Sequence, residues 1–192
     1  MLDYETFKEF IDKANKANQQ FCVWFSTNNE FAKYQAQFTS RELNSFFSVV
    51  VPTLQHSWVL ATARLFDKAY YNNKDKNKPR TCLDYILIQL ENDNLANEIL
   101  EQLKSHQVVI NSVKNFRDNF ITHNDVNFIL RGTRIEPGIE NLFQWLEDTI
   151  AKIKKAYPHL NECGTINIEH NEKLLQCDTE AVFETLLRGE KS

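Results

Sequence analysis

The chain opens with the stretch YETFKEFIDKANKANQQFCVWFSTNNEFAKY, Tyr4–Tyr34, and this stretch decides the fold class. Its apolar side chains recur every three or four residues, the spacing that places them on one face of an α-helix. The positions on that face are Phe7, Phe10, Ile11, Ala14, Phe21 and Phe25. The opposite face carries Lys, Asp, Asn and Gln, so the pattern predicts one long amphipathic helix. The polar run 26–29 is the weakest point of that helix.

The rest of the chain continues the helical pattern and contains few of the residues that a β-sheet needs at its turns. Four Gly and four Pro in 192 residues are well below the usual frequency of either. This length suits one domain with a single core, which we assign to residues 1–192. We therefore predict an all-α bundle of five to six helices, with a short extended segment near residues 165–168.

Turn and capping residues set the expected helix boundaries. Thr39, with Glu42 three positions later, predicts a helix start, and this helix is expected to reach Asp67 with a kink at Pro52. The polar run 71–80 is expected to be a loop. Further helices are expected from the N-cap Thr81 to Leu90, from Leu95 to about Thr122, from Ile139 to Tyr157, and from Asp178 to about Arg188.

Charge and composition exclude several functional classes. A formal net charge of -4 disfavours a protein that coats nucleic acid nonspecifically, because that needs clustered Lys and Arg, although a local basic patch stays open. The N-terminus lacks the basic start and apolar run of a signal peptide, and no stretch resembles a membrane span, so we expect a cytoplasmic protein. The four cysteines lack zinc-site spacing, so we expect reduced, mostly packed thiols and no metal or cofactor.

The best candidate for chemistry is the segment RDNFITH, residues 117–123. Arginine is always cationic and its planar fork of donors suits phosphate oxygens, while histidine can take and give a proton near neutral pH. Together they suit phosphodiester cleavage in RNA, where a 2′-hydroxyl loses its proton and the phosphorane gains negative charge. No metal is required for that route.

The spacing of Arg117 and His123 creates a geometric problem. On an ideal α-helix, six residues place the two side chains roughly 120° apart, so they do not meet on one face. They could converge if the helix distorts near residues 122–124, if Arg117 reaches around, or if a second copy of the helix completes the site.

The segment FRDNFITHND, residues 116–125, resembles the R-polar-x-x-x-x-H motif of the HEPN superfamily. The run ATARLFDK, residues 61–68, is similar to the early-helix segment of the abortive-infection (AbiU-type) branch of that superfamily. The resemblance covers roughly residues 40 to 155 and is strongest at the motif. It implies a HEPN-like helical bundle for the chain.

The resemblance also implies an activity. Proteins of this type are metal-independent endoribonucleases that cleave RNA through the 2′-hydroxyl, in a cleft shared by the two subunits of a homodimer. Arg117 would stabilise the phosphorane, His123 would transfer protons, and Asp118 would orient either of them. The expected substrate contacts are Asn119, Asn124 and Lys114. A toxin or phage-defence effector is the implied setting, with an antitoxin or another regulatory protein as partner.

Simpler interpretations stay open. Arg117 and Asp118 could form a surface ion pair of small value, and His123 could be a packed residue at a helix end. Arg64 and Asp67, three residues apart on one helix, are expected to pair with each other. The chain could be a non-catalytic module of the same fold that binds a partner protein or a nucleotide, or an unrelated helical bundle.

Overall fold

Seven α-helices form the part of the chain that the computed structural model describes, residues 2–38, 41–70, 79–122 and 135–190, which contains no β-strand. They are α1 (Tyr4–Tyr34), α2 (Arg41–Leu65), α3 (Leu83–Gln89), α4 (Asp93–Ser105), α5 (Gln107–Phe116), α6 (Ile139–Ala156) and α7 (Ile168–Glu190). A π-helical turn, Arg117–Thr122, follows α5. The all-α prediction is confirmed, and the helix count exceeds the expected five to six.

Helix α1 has the predicted bounds. The Asp3 carboxylate accepts a hydrogen bond from the Thr6 amide at 2.9 Å and so satisfies one of the free N–H groups of the first turn. The polar run 26–29 does not interrupt the helix, and Ser26 and Thr27 within it are buried. Phe25 departs from the predicted apolar face, since 44% of it is exposed.

Two apolar clusters hold the helices together. The larger one joins α1 to the second half of α2 and to α3, α5 and α6, and its largest fully buried side chains include Trp58, Phe7, Phe10 and Phe143. The smaller one lies where the end of α1, the start of α2 and α7 meet, and consists of Phe38, Phe47, Phe183 and Leu187. Helix α1 thus packs along both α2 and α7.

Helix α2 begins at Arg41 and keeps Pro52 within it, but ends at Leu65 instead of Asp67. The expected cap Thr39 lies outside the described residues. Thr81, the expected cap of α3, is not its cap, because its hydroxyl donates to Glu9 at 2.8 Å and Cys82 occupies the N-cap position.

The stretch expected to be helical from Leu95 to about Thr122 is helical except at His106, where it divides into two helices. Asn92 caps α4 by accepting from the Leu95 amide, and α4 ends at Ser105, whose hydroxyl donates to the Gln102 carbonyl at 2.7 Å. This local bond competes with regular helix geometry. His106 forms the junction with α5, and its ring packs 5.1 Å from the ring of Trp145 on α6. A contact between residues distant in sequence therefore lies at the point where the two helices divide.

The C-terminal region also differs from prediction. Residues 165–167, within the expected extended segment, are not helical. Their backbone bonds to the side chain of Asn15 on α1: Asn15 Nδ2 donates to the Thr165 carbonyl at 2.8 Å, and Asn15 Oδ1 accepts from the Asn167 backbone N–H at 3.2 Å. Helix α7 already begins at Ile168, so the expected start near Asp178 is wrong.

Cys22, Cys82 and Cys163 are free thiols buried in the fold, as predicted. The side chain of Cys177 lies outside the described part. Of the helices that the structure describes, none is both long and apolar enough to cross a membrane.

Candidate functional site

The end of α2 is held against the segment that leads into α3. The Arg80 amide donates to the Ala69 carbonyl at 2.8 Å, and the Asp84 carboxylate accepts from the Ala69 amide at 2.9 Å and from Lys68 Nζ at 3.1 Å. These bonds place the Arg80 guanidinium 3.6 Å from the Asp67 carboxylate. The site is built on this junction.

Arg117 is the first residue of the π-helical turn that follows α5. Hydrogen bonds in a π-helix join residue i to residue i+5, and such turns occur frequently at functional sites. The distortion begins at Arg117 itself, earlier than the expected point near residues 122–124. The angle of 120° predicted for a straight α-helix therefore does not apply to this segment.

Two carboxylates hold the Arg117 side chain. Arg117 Nη1 donates to Asp67 Oδ1 at 2.8 Å and to Oδ2 at 3.0 Å, and Nε donates to Asp118 Oδ1 at 2.6 Å. The side chains of Arg117 and Asp67 are 18% and 15% exposed, whereas that of Asp118 is 53% exposed. The hydrogen bond to Asp118, followed by that to Asp67, raises the pKa of Arg117. The guanidinium is thus a fixed, permanent cation.

The expected ion pair between Arg64 and Asp67 is wrong. Asp67 has passed the end of α2, so the three-residue helical spacing no longer applies, and its carboxylate contacts Arg117 and Arg80. Arg64 is exposed and has no ion-pair partner among the described residues. The contact between Asp67 and Arg117 has no local sequence signal, because the two residues lie 50 positions apart.

The other expected site residues are placed in different ways. Lys114 is half-buried and its ammonium donates to the Phe66 carbonyl just beyond α2; burial, with Arg117 nearby, lowers the pKa of Lys114. The Asn119 amide donates to the Asn115 carbonyl at 3.1 Å, one turn back. Neither side chain lines the cleft described next, so their contact with a substrate stays a prediction. His123 and Asn124 lie outside the described residues.

Arg117 lines a cleft of about 830 Å³ between α1 and α2. The polar face of α1 contributes one wall, with Lys13 and Lys16, and α2 contributes Arg64 to the other. Arg80 and Asp67 lie with Arg117 in the same lining. The remaining lining residues are Glu9, Gln20, Ser57, Leu60, Ala61, Leu65, Pro79 and Thr81. Among the described lining residues, five cations and two acids make the cleft basic on a chain of net charge -4.

The cleft is a surface that sequence analysis did not identify. Lys13 and Lys16 lie on the polar face of α1, and their position on that face was the only local sign of this surface in the sequence. A lysine on such a face is usually solvated, and only the packing of α1 on α2 brings these two to Arg64 and Arg117. Chemically, the arrangement supplies fixed positive charge for an anion such as phosphate.

The described residues contain no group of three or more His, Cys, Asp or Glu side chains arranged to hold a metal ion. Comparison with other proteins provides no further assignment. No family model, no curated protein and no solved structure matches this chain.

Proposed function

We propose that the chain is a metal-independent endoribonuclease of HEPN type that acts as a homodimer. Arg117 stabilises the phosphorane, His123 transfers protons to and from the 2′-hydroxyl and the leaving oxygen, and Asp118 positions Arg117. The products are a 2′,3′-cyclic phosphate and a 5′-hydroxyl. We further propose that the protein is a toxin or phage-defence effector whose activity is restrained by a regulatory protein.

The observation that carries this proposal is the fixing of Arg117 at the wall of a basic cleft. A donor that stabilises a transition state acts best when it is already oriented, because no free energy is then spent on reorganisation during the reaction. Asp67 and Asp118 orient the guanidinium at 2.6 to 3.0 Å. Both carboxylates keep it charged, and the cleft leaves space for a phosphate beside it.

The π-helical turn gives further support. Backbone distortions of this kind cost free energy and persist where a function or the surrounding structure requires them. The turn covers Arg117–Thr122, the first six residues of the R-polar-x-x-x-x-H motif.

Nuclease assays with single substitutions test the proposal. The wild type, Arg117→Ala and His123→Ala are incubated with labelled single-stranded RNA in EDTA, beside Arg41→Ala as a control for loss of an exposed arginine. We expect cleavage by the wild type and the control, and at least about a 100-fold loss in the other two. A chimeric oligonucleotide with one ribonucleotide in DNA should be cut only at that position. Equal RNA decay in all four proteins, or none in any, refutes the proposal.

The dimer is tested separately by dilution. If the site is shared between two subunits, activity per protomer falls as the protein is diluted through the dissociation constant of the dimer. Sedimentation velocity at the same concentrations measures that constant. A monomer with full activity contradicts the shared cleft while leaving the nuclease itself standing.

A non-catalytic module that binds a partner protein or a nucleotide is the alternative. It is favoured by the same two ion pairs, because they give Arg117 a structural role that needs no substrate. In that case Arg117→Ala lowers stability, and neither the wild type nor the variant cleaves RNA.

A further inference from the structure

We propose that the cleft between α1 and α2 binds consecutive phosphate groups of a single-stranded nucleic acid and leads that strand to Arg117. This inference rests on the proposed function for its choice of nucleic acid as the ligand. It adds a substrate path that the motif does not contain, made by Lys13, Lys16, Arg64 and Arg80.

The lining residues of α1 form one continuous row. Glu9, Lys13, Lys16 and Gln20 are spaced by four, three and four residues, so they lie on one face of the helix over about 16 Å of its length. The hydroxyl of Thr81 donates to Glu9 at 2.8 Å, which fixes the segment containing Arg80 at one end of this row. The row therefore leads along α1 toward the junction that holds Arg117.

The second wall faces this row. On α2, Ser57, Leu60, Ala61 and Arg64 follow at intervals of three, one and three residues, which is again a single helical face. Phe21 of α1 packs 5.3 Å from Trp58 of α2, and Phe31 packs 5.4 Å from Phe47, so the two helices run in opposite directions and the Arg64 end of α2 lies toward the N-terminal half of α1. The cations are thus distributed along a groove instead of collected at one point.

Some of the charged side chains in the groove form ion pairs with each other, and others do not. Glu9 pairs with Lys13 at 2.6 Å, and Asp67 contacts both Arg117 and Arg80. Lys16 and Arg64 are exposed, and neither has an ion-pair partner among the described residues. A phosphate can therefore contact these two without first breaking an ion pair. They are the residues whose loss should weaken strand binding most clearly.

The lining also predicts how the strand is recognised. The apolar residues of the described lining are Leu60, Ala61, Leu65 and Pro79, with no aromatic ring on which a base could stack. Recognition then depends on the sugar-phosphate backbone, since contacts to phosphate position a nucleic acid without reading its sequence. We infer binding that is strongly dependent on salt and weakly dependent on sequence.

The test measures the salt dependence of binding with a strand that cannot be cleaved. The probe is a fluorescent single-stranded 2′-O-methyl oligoribonucleotide, followed by anisotropy over a series of salt concentrations. For single strands the slope of log K against log salt is about -0.7 per phosphate contact. Lys16→Gln combined with Arg64→Gln removes two contacts, so the slope should become shallower by about 1.4.

The matched control replaces one exposed helical lysine and one exposed helical arginine outside the cleft, Lys155→Gln with Arg41→Gln. It changes the net charge by the same amount and should retain the slope of the wild type. Thermal unfolding of all three proteins checks that the variants are folded. An equal slope in both double variants overturns the inference.

Two further arms distinguish the ligand. A mononucleotide that binds as tightly as the oligonucleotide, or a duplex that binds more tightly than the strand, overturns the assignment to a single strand. Since the probe has no free 2′-hydroxyl, its binding is independent of cleavage. A slope that responds to Lys16 and Arg64 in a protein without nuclease activity supports the cleft and refutes only the proposed function. If the protein cleaves RNA but the slope does not respond to Lys16 and Arg64, the proposed function is supported and the binding cleft is refuted.

Discussion

Asp67 and Arg117 are joined by two hydrogen bonds of 2.8 and 3.0 Å, although they lie 50 positions apart in the sequence. Asp67 follows the end of α2, and Arg117 begins the π-helical turn. Both side chains are more than four-fifths buried, so removal of either leaves a poorly solvated charge. This pair connects the stability of the fold to the orientation of the candidate catalytic arginine.

Asp67→Asn should lower the free energy of unfolding by about 1 to 3 kcal/mol, because it removes the more buried of the two carboxylates that hold a largely buried guanidinium. Asparagine has nearly the size of aspartate and keeps one carbonyl acceptor, so the change in the free energy of unfolding measures the loss of the negative charge. The matched control is Asp118→Asn. The Asp118 carboxylate is 53% exposed, so its replacement should lower the free energy of unfolding by less than about 1 kcal/mol. Urea denaturation measures both. A larger loss in Asp118→Asn contradicts the dominant role of Asp67.

Arg117→Lys should keep the positive charge but lose function. An ammonium is a point charge that cannot replace a planar fork bonded to Asp67 and Asp118 together. If the proposed nuclease activity exists, we expect cleavage to fall at least about 100-fold while the protein stays folded. Single-turnover rates, with circular dichroism as the folding control, measure this. A lysine variant with wild-type rates shows that charge alone suffices.

Lys114 should make stability depend on pH in the alkaline range. Burial lowers the pKa of Lys114 in the folded state below its ordinary value of 10.5, so the unfolded chain holds that proton to higher pH. Between the folded pKa and 10.5 the unfolded state binds more protons, and the free energy of unfolding therefore rises with pH in that window through this group.

The wild type should accordingly gain stability relative to Lys114→Met as the pH approaches 10.5 from below. Lys155→Met, at an exposed position of α6, corrects for the replacement of a lysine as such. Denaturation at several pH values measures the two differences. If the free energy of unfolding of the wild type instead falls relative to that of Lys114→Met as the pH rises toward 10.5, the expected sign is contradicted.

Phe183 should anchor α7 to the rest of the molecule. Its side chain is 1% exposed and its ring lies 4.7 Å from the ring of Phe47 on α2. Phe183→Ala should cost about 3 to 5 kcal/mol through lost burial and the cavity that remains. Its neighbour Val182 is 54% exposed, and Val182→Ala should change stability by less than about 0.5 kcal/mol. Similar small losses in both variants show that α7 contributes little to folding.

The helical elements that sequence analysis predicted best are those with strong local signals. Helix α1 has both expected bounds, and α6 begins at the expected Ile139 and ends one residue before the expected Tyr157, next to Pro158. Amphipathic spacing, caps and prolines act within a few residues, so they can be read without knowledge of the fold. The all-α class follows from them.

The errors share a different cause. His106, where α4 and α5 divide, packs against Trp145, and Thr81 bonds to Glu9 instead of capping α3. Each of these contacts joins residues at least 39 positions apart. Local propensity is a weak preference that such tertiary contacts override.

The candidate site divides in the same way. The adjacency of Arg117 and Asp118, their place at the start of a motif suited to phosphate chemistry, and the helical class of the chain can all be read from the sequence. Packing in three dimensions is what sets Asp67 against Arg117, where a π-helical turn begins, and what places Lys16 and Arg64 in one cleft with it. Periodicity identifies which face of a helix is polar, but the packing of helices determines which polar faces meet.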